Sequence, residues 1–147
     1  MVEVRALTPQ DEAAWRTLWT GYLTFYETSV AEDVYQTTFA RLLNDDPHDY
    51  HGRLAVVGRT PVGLVHYLFH RHCWKIENTI YLQDLFVSKD ARGTGAGRAL
   101  IEAVYAHGDA VGCPSVYWTT QDFNKTARVL YDRIGEKTPF IKYQRRL

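Results

Sequence analysis

The sequence predicts an α/β fold in one domain spanning residues 1–147, built on a mixed sheet with helices on both sides. Two observations lead to this prediction. Apolar segments on either side of Arg59-Thr60-Pro61 are typical of a β-hairpin, and the second half of the chain alternates strand, helix, strand, helix and strand. Such alternation needs crossover connections that place helices against the sheet. The length of 147 residues suits one core, and no Pro/Gly/Ser-rich linker divides the chain.

The first half of the chain predicts a strand, two helices and the hairpin. The alternating stretch VEVRAL forms the first strand. Thr8 and Pro9 then supply an N-cap and a favourable first helical residue, so a helix is expected from there to about Tyr26. A second helix is expected over residues 33–43, and the hairpin strands are LAVVG and VGLVHYLFH.

The second half predicts a central strand followed by two helices and two further strands. The central strand is TIYLQDLFV, residues 79–87. Apolar residues recur at three- and four-residue spacing over 98–111 and 124–134, which indicates two helices with buried stripes, and Gly135 ends the second. SVYWTT lies between these helices, and PFIKYQRR follows them as the expected last strand.

Composition argues against several classes of protein. Seventeen Lys and Arg residues balance seventeen Asp and Glu residues, so no basic surface for nucleic acid is expected. No apolar run reaches the roughly 18 residues of a membrane span, and the charged N-terminal stretch MVEVRALTPQDEAAW favours a cytoplasmic location. Cys73 and Cys113 form no CxxC pair and are expected to be reduced thiols. His66, His70 and His72 share one strand with no second contributor, so no metal site is expected.

The stretch VSKDARGTGAGRALIEAV carries the strongest functional pattern. Glycines at 93, 95 and 97 separate a strand from a helix, and the unpaired N–H groups and dipole of a helix start attract anions. Arg92 and Arg98 add positive charge on either side. The spacing fits neither the Walker motif GxxxxGK[ST] nor the dinucleotide motif GxGxxG. Two interpretations remain: a phosphate site of another kind, or a glycine-rich turn without a ligand.

The segment RGTGAG resembles the Q/R-x-x-G-x-G/A signature of the GCN5-related N-acetyltransferases, the GNAT superfamily. The element order is similar over almost the whole chain. YLQDLFVSKDARGTGAG and NKTARVLYDRIG resemble blocks of the spermidine/spermine acetyltransferase-like and yeast Hpa-like branch, and TFYE does so more weakly. The resemblance implies a GNAT fold with a largely antiparallel sheet and direct acetyl transfer from acetyl-CoA to a primary amine.

The resemblance also implies where acetyl-CoA would bind. The backbone of Leu85, Phe86 and Val87 would run beside the pantetheine arm, and a strand N–H would stabilise the oxyanion. Asn124 would meet the cofactor arm at the start of the last helix. The loop backbone would hold the pyrophosphate through residues Arg92, Gly93, Thr94, Gly95, Ala96, Gly97 and Arg98.

The resemblance implies that Tyr131 is the general acid. It follows Asn124 by seven residues, so the two share a helical face about 10 Å apart along the axis. A tyrosine, with a usual pKa near about 10, can protonate the departing thiolate. The alternative is a core residue, because Tyr131 lies on the apolar stripe with Leu130 and Ile134.

Gln83 and Asp84 are out of place in a central strand that should be apolar. The strand pleat predicts Gln83 on the face of Leu85 and Val87, and Asp84 on the face of Leu82 and Phe86. The related branch has Glu-Asp at these positions, and glutamine cannot act as a base. Asp84 is therefore the candidate base or substrate-ordering residue, and a purely structural carboxylate is the alternative.

Further acceptor contacts are predicted at the end of the first helix and on the strand SVYWTT. In the family the first region borders the acceptor site, so Tyr26 and Glu27 are candidates, with Glu27 attracting the amine. A solvated helix end is the alternative for Glu27. Tyr117 and Trp118 are candidates on the strand, where alternation sends one of them to the core.

The sequence thus predicts an acetyl-CoA-dependent N-acetyltransferase, an acyltransferase acting on a small-molecule amine, a polyamine or a lysine-like acceptor. The alternatives are a non-catalytic acyl-CoA-binding module, a nucleotide-phosphate binder and an acetyltransferase of protein lysine or N-terminal amines. The related branch also implies a homodimer, in which PFIKYQRRL would pair as a strand across a two-fold axis.

Overall fold

The computed structural model describes residues 1–147, which form one five-stranded sheet and four α-helices. The strands lie in the order β1-β2-β3-β4-β5, antiparallel except for the parallel β4–β5 pair, so the mixed, largely antiparallel class is confirmed. No helix combines the length and apolar character needed to cross a membrane. The elements are β1 (Val2–Ala6), α1 (Glu12–Phe25), α2 (Glu32–Leu42), β2 (His51–Val57), β3 (Thr60–His70), β4 (Thr79–Val87), α3 (Ala96–Ala110), β5 (Val116–Tyr117) and α4 (Lys125–Ile134).

Helix α1 begins three residues later than Pro9 predicts, because residues 9–11 form a separate 3-10 turn. The buried Asp11 carboxylate organises this turn. It accepts hydrogen bonds from the Thr8 N–H at 2.7 Å and from the Arg5 guanidinium at 2.8 and 2.9 Å. The hydrogen bond from Arg5 is the main reason that the pKa of Asp11 falls to about 2. The turn therefore ties β1 to the start of α1.

The two sides of the sheet carry separate cores. Helices α1 and α2 cover one side, which we call the α1 face; its buried apolar residues are Trp15, Leu18, Trp19, Leu23, Phe39, Leu42, Leu54, Val56 and Leu64. Helices α3 and α4 cover the other, the α3 face; its buried residues include Val65, Tyr67, Ile80, Leu82, Leu100, Ile101 and Val104. Helix α4 contributes only partly buried side chains to the α3 face, among them Leu130, Tyr131 and Ile134.

A β-bulge in β4 corrects the predicted pleat. His66 of β3 pairs with Asp84, but the next residue, Tyr67, pairs with Leu82, so Gln83 is an extra residue without a partner. Leu82 consequently lies on the α3 face with Leu85 and Val87, whereas Asp84 and Phe86 lie on the α1 face. The prediction that Leu82 shares a face with Asp84 was wrong, because regular alternation does not hold across a bulge.

The last strand predicted from the sequence is absent. PFIKYQRR forms neither helix nor strand, and Phe140, Ile141 and Tyr143 are exposed. Strand β5 is also shorter than SVYWTT and pairs with β4 only through Val116 and Tyr117. The prediction of a last strand was therefore wrong, because this segment pairs with no strand although the outer edge of β5 is free.

Candidate active site

A cavity of about 400 Å³ opens where β5 leaves β4. Beyond Tyr81, the outer edge of β4 has no strand partner, and the bulge at Gln83 lies at this point. The lining comes from the end of α1, the middle of β4, the segment after β5, helix α4 and the C-terminal segment, and consists of Tyr22, Tyr26, Tyr81, Leu82, Gln83, Asp84, Leu85, Trp118, Thr119, Thr120, Gln121, Tyr131 and Lys142. The separation of β4 from β5 thus creates a site from residues of five segments.

Asp84 joins this cavity to the core of the α1 face. The residue is only 7% exposed. Its Oδ2 atom accepts hydrogen bonds from His66 Nδ1 at 2.8 Å and from Trp19 Nε1 at 3.3 Å. Its Oδ1 atom takes part in none of the side-chain hydrogen bonds of the structure, although the residue lines the cavity. The Oδ2 atom is thus held by His66 and Trp19, while the carboxylate also interacts with the Tyr22 hydroxyl of the cavity, whose pKa it helps to raise.

Two tyrosines at the end of α1, Tyr22 and Tyr26, line the cavity together with Asp84. Burial, followed by the negative charge of Asp84, raises the pKa of Tyr22 and that of Tyr26. Both hydroxyls therefore stay protonated at neutral pH and serve as hydrogen-bond donors in the cavity. Tyr26 was predicted as an acceptor contact, and the structure brings it to the same cavity as Gln83 and Asp84.

Tyr131 enters the cavity from α4, on the side of the sheet opposite Asp84. Its ring packs edge-on against Trp118, with ring centroids 5.5 Å apart. Burial, with a smaller contribution from Tyr26, raises the pKa of Tyr131 to about 12. The hydroxyl is therefore protonated at neutral pH. Tyr131 also packs partly against the core of the α3 face, so it belongs both to that core and to the cavity lining.

The glycine loop presents a row of unpaired N–H groups. The backbone N–H groups of Gly93, Gly95, Ala96, Gly97 and Arg98 donate to no protein acceptor, whereas that of Ala99 already bonds to Gly95 O. Gly95 is the residue before α3 and has φ of 86°, a conformation that favours glycine. Five donors at the start of a 15-residue helix form a suitable cradle for a phosphate group.

The two arginines of the loop differ in their availability. Arg98 Nε bonds to Glu102 Oε1 at 2.8 Å, one turn further along α3, which compensates its charge. Arg92 precedes the glycines and forms no salt bridge in the structure. Arg92 is therefore the better source of positive charge for an anion on the loop.

Other predicted residues lie outside the cavity. The structure does not bring Glu27 or Tyr117 to its lining. Glu27 follows α1 as an exposed residue with φ of 56°. Tyr117 stacks on Tyr81 and bonds to His70 Nε2 at 2.8 Å, while its neighbour Trp118 enters the cavity.

The remaining cofactor candidates follow the unpaired edge of β4. Leu85 lines the cavity, Phe86 turns its ring to α1 beside Gly21, and Val87 ends the strand next to Gly97. Asn124 immediately precedes α4, where its Nδ2 donates to Thr120 Oγ1 at 3.2 Å and leaves its Oδ1 without a donor. Strand β4 thus runs from the cavity at Leu85 to the glycine loop beside Val87.

Several site residues escaped prediction from the sequence. Trp15, Trp19 and Tyr22 lie within the first predicted helix, where the sequence analysis assigned them no role, and His66 was not predicted to have a carboxylate partner. His66 is 18 residues from Asp84 in the chain, and Trp19 is 65 residues away. The one signal was the polar His66 within the apolar run VGLVHYLF, which a buried strand tolerates only with a partner.

Comparisons with known proteins identify the family to which this fold belongs. The family model of the acetyltransferase (GNAT) family matches residues 13–135. A D-amino-acid N-acetyltransferase of Saccharomyces cerevisiae is 40% identical over 146 residues, which cover 98% of this chain and 90% of the relative. A thialysine N-epsilon-acetyltransferase of Bos taurus is 36% identical over 78 residues, covering 53% of this chain and 45% of that protein.

Solved structures show the same fold at low sequence identity. A ribosomal-protein-alanine N-acetyltransferase from Brucella melitensis biovar Abortus 2308 has a TM-score of 0.81 at 17% identity, covering 100% of this chain and 99% of that chain. An aminoglycoside N-acetyltransferase in complex with CoA has a TM-score of 0.84 at 18% identity, covering 99% and 95% of the two chains. The chain therefore belongs to the GNAT acetyltransferase family and is an N-acetyltransferase.

Proposed function

We propose that this enzyme transfers the acetyl group of acetyl-CoA directly to the primary amine of a free amino acid. The observation that carries the proposal is the common cavity of Asp84 and Tyr131, which adjoins the unpaired edge of β4. A carboxylate that attracts an amine and a protonated hydroxyl that faces a leaving group are the two groups that this transfer needs.

Acetyl-CoA fits the surface that extends from the glycine loop to the cavity. The five unpaired N–H groups of the loop suit the pyrophosphate, and Arg92 adds charge beside them. The pantetheine arm carries amide groups that can pair with the open edge of β4 from Leu85 to Val87. The thioester would then lie near Leu85 and Tyr131 in the cavity.

The transfer proceeds through one tetrahedral intermediate. The ammonium held by Asp84 first loses one proton to water. The neutral amine nitrogen then attacks the thioester carbonyl carbon, the C–S bond breaks, and the products are an acetamide and CoA thiol. The pKa of Tyr131, about 12, lies well above that of an alkyl thiol at about 8.5, so complete proton transfer from Tyr131 would be uphill. Tyr131 therefore stabilises the departing thiolate mainly by donating a hydrogen bond, and the proton released by the attacking amine balances the reaction.

An amino acid suits the charges of the cavity better than a polyamine does. Among the lining residues Asp84 is the one acid and Lys142 the one base. A polyamine carries several cationic groups that would need several acids, whereas an amino acid offers one ammonium to Asp84 and one carboxylate to Lys142. The name of the yeast relative supports this class of acceptor.

The test is a panel of amines with CoA thiol release as the readout. D- and L-amino acids, thialysine, spermidine, an aminoglycoside and a lysine peptide are compared at equal concentration. We expect kcat/KM for the best amino acid to exceed that for spermidine at least tenfold. If acetyl-CoA stabilises the protein against heat but none of the amines causes CoA thiol to be released, the protein is instead the non-catalytic binding module.

We also propose that the protein forms a homodimer through its C-terminal segment, residues 136–147. Phe140, Ile141 and Tyr143 are exposed there, and β5 has no strand on its outer edge. Burying these side chains against a second copy would remove apolar surface from water. Light scattering at micromolar concentration should give twice the 17.0 kDa mass of the chain, and a mass of one chain would end the proposal.

A further inference from the structure

A buried chain of three side chains lies behind the cavity. Trp15 Nε1 donates to His66 Nε2 at 2.9 Å, and His66 Nδ1 lies 2.8 Å from Asp84 Oδ2. Trp15 is fully buried, and His66 is 3% exposed. These side chains come from the first turn of α1, from β3 and from β4, so they connect three elements at the one acid of the cavity.

The donors in this chain determine the state of His66. An indole N–H can only donate, so His66 Nε2 must be the unprotonated nitrogen that accepts it. The proton of a neutral imidazole is then on Nδ1, from which it is donated to Asp84 Oδ2. If His66 Nε2 were protonated, two N–H donors would face each other and the hydrogen bond from Trp15 would be lost. His66 is therefore not a base that receives a proton from Asp84.

The same bonds fix the orientation of the Asp84 carboxylate. Oδ2 accepts from both His66 and Trp19, which occupies the two lone pairs of that oxygen. Trp15 and Trp19 are stacked, with ring centroids 5.2 Å apart, so the two indole donors are themselves held rigidly on α1. Oδ1 is the carboxylate oxygen left for the cavity, where the Tyr22 hydroxyl and a ligand can both reach it.

We propose that His66 is a positioning residue, a neutral Nδ1–H imidazole that holds Asp84 with Oδ1 directed to the acceptor ammonium. Trp15 sets its tautomer. This inference rests on the proposed function, since it assigns Asp84 the acceptor amine. It also excludes a proton relay from Asp84 to His66, because both ring nitrogens of His66 are already engaged, and it assigns Asp84 the ordering of the substrate ammonium.

Two substitutions separate positioning from packing. His66→Asn retains an amide N–H close to the Nδ1 position and loses the acceptor for Trp15. His66→Gln places its amide near the Nε2 position, so it retains the acceptor for Trp15 and loses the donor to Asp84. Each variant loses one buried hydrogen bond, and we expect similar losses of thermal stability.

The kinetic readouts of these two variants should differ. We expect His66→Gln to raise KM for the amine about tenfold, with KM for acetyl-CoA unchanged, and His66→Asn to stay within about threefold of the wild type. Equal kinetic losses in both variants, in step with stability, would overturn positioning by the Nδ1–H group.

A spectroscopic measurement tests the tautomer without any activity. In protein labelled with ¹⁵N-histidine, His66 should give the spectrum of a neutral imidazole protonated on Nδ1 at pH 7.5, and an Nε2-protonated ring would overturn the assignment. If the wild type acetylates no amine but His66 has this tautomer, then the proposed function fails while the buried chain stands.

Discussion

The two faces of the sheet are built from different chemistry. The core of the α3 face is apolar around Leu100, Ile101 and Val104, whereas the core of the α1 face encloses the polar pair His66 and Asp84 beside two tryptophans. A buried polar pair is costly unless its hydrogen bonds are complete, and an apolar pair of the same volume would stabilise the fold at least as well. The comparison indicates that the α3 face mainly stabilises the fold. On the α1 face, burial of His66 and Asp84 lowers stability but places a carboxylate in the cavity.

The largest effect should come from removing that charge. Asp84→Asn retains the shape and an oxygen for His66 and Trp19, but it presents a neutral amide to the amine. We expect kcat/KM for the amine to fall about 1000-fold, because a buried partner of a charged ligand is lost. Thiol-release kinetics give kcat/KM, and calorimetry should find the Kd of acetyl-CoA within twofold of the wild type. A loss smaller than fivefold would show that the polar pair of the α1 face serves the fold alone.

The opposite outcome is expected for the core of the α3 face. Ile101 is fully buried there, so Ile101→Ala should lower the free energy of unfolding by about 3 kcal/mol. Urea denaturation measures the loss, and kcat of the remaining folded protein should stay within threefold. Val129→Ala is the matched control, since Val129 is exposed on α4 and its loss should stay below about 0.5 kcal/mol. A large fall in kcat for Ile101→Ala would contradict the assignment of stability to the α3 face and of function to the α1 face.

Tyr131 packs on the α3 face and also lines the cavity in which we propose the reaction occurs. Tyr131→Phe retains the ring against Trp118 and removes the hydroxyl, so kcat should fall about 30-fold with little change in the Kd of CoA. Because the pKa of Tyr131 is about 12, the wild-type rate should not decline between pH 8 and pH 10 through loss of this proton. An unchanged kcat in the variant would leave Tyr131 as a core residue only.

The smallest effect concerns a charge on the α1 face that lies outside the cavity. Asp11→Asn should cost about 1 kcal/mol of stability at pH 7, because a carboxylate hydrogen-bonded to Arg5 and Thr8 is replaced. The folded pKa of Asp11, about 2, lies below the ordinary 3.8, so its contribution is complete above about pH 5 and disappears as the pH falls through 2. Denaturation at pH 7 and pH 2 should therefore give a difference between variant and wild type that shrinks in acid, while kcat at pH 7 is unchanged.

The features that could be predicted from the sequence are those determined by neighbouring residues in the chain. The apolar run ended by polar residues gave β4 as Thr79–Val87, and the glycine spacing located the start of α3 within two residues. The contacts that complete the site are long-range, and the donors to Asp84 lie 18 and 65 residues away. No pattern of period two or 3.6 records such a contact. The failed C-terminal strand has the same physical cause, because a strand forms only by pairing with a distant edge, and the local sequence of PFIKYQRR does not specify that pairing.

The bulge at Gln83 has a consequence for chain length. With Gln83 removed, Leu82 and Asp84 would be adjacent and would pair with Tyr67 and His66 in an uninterrupted ladder. Leu82 would still point to α3 and Asp84 to α1, because neighbours in a regular strand alternate. Both cores would keep their side chains, and the cavity would lose Gln83 from its lining. One inserted residue thus adds a polar group to the cavity without turning a side chain of either core.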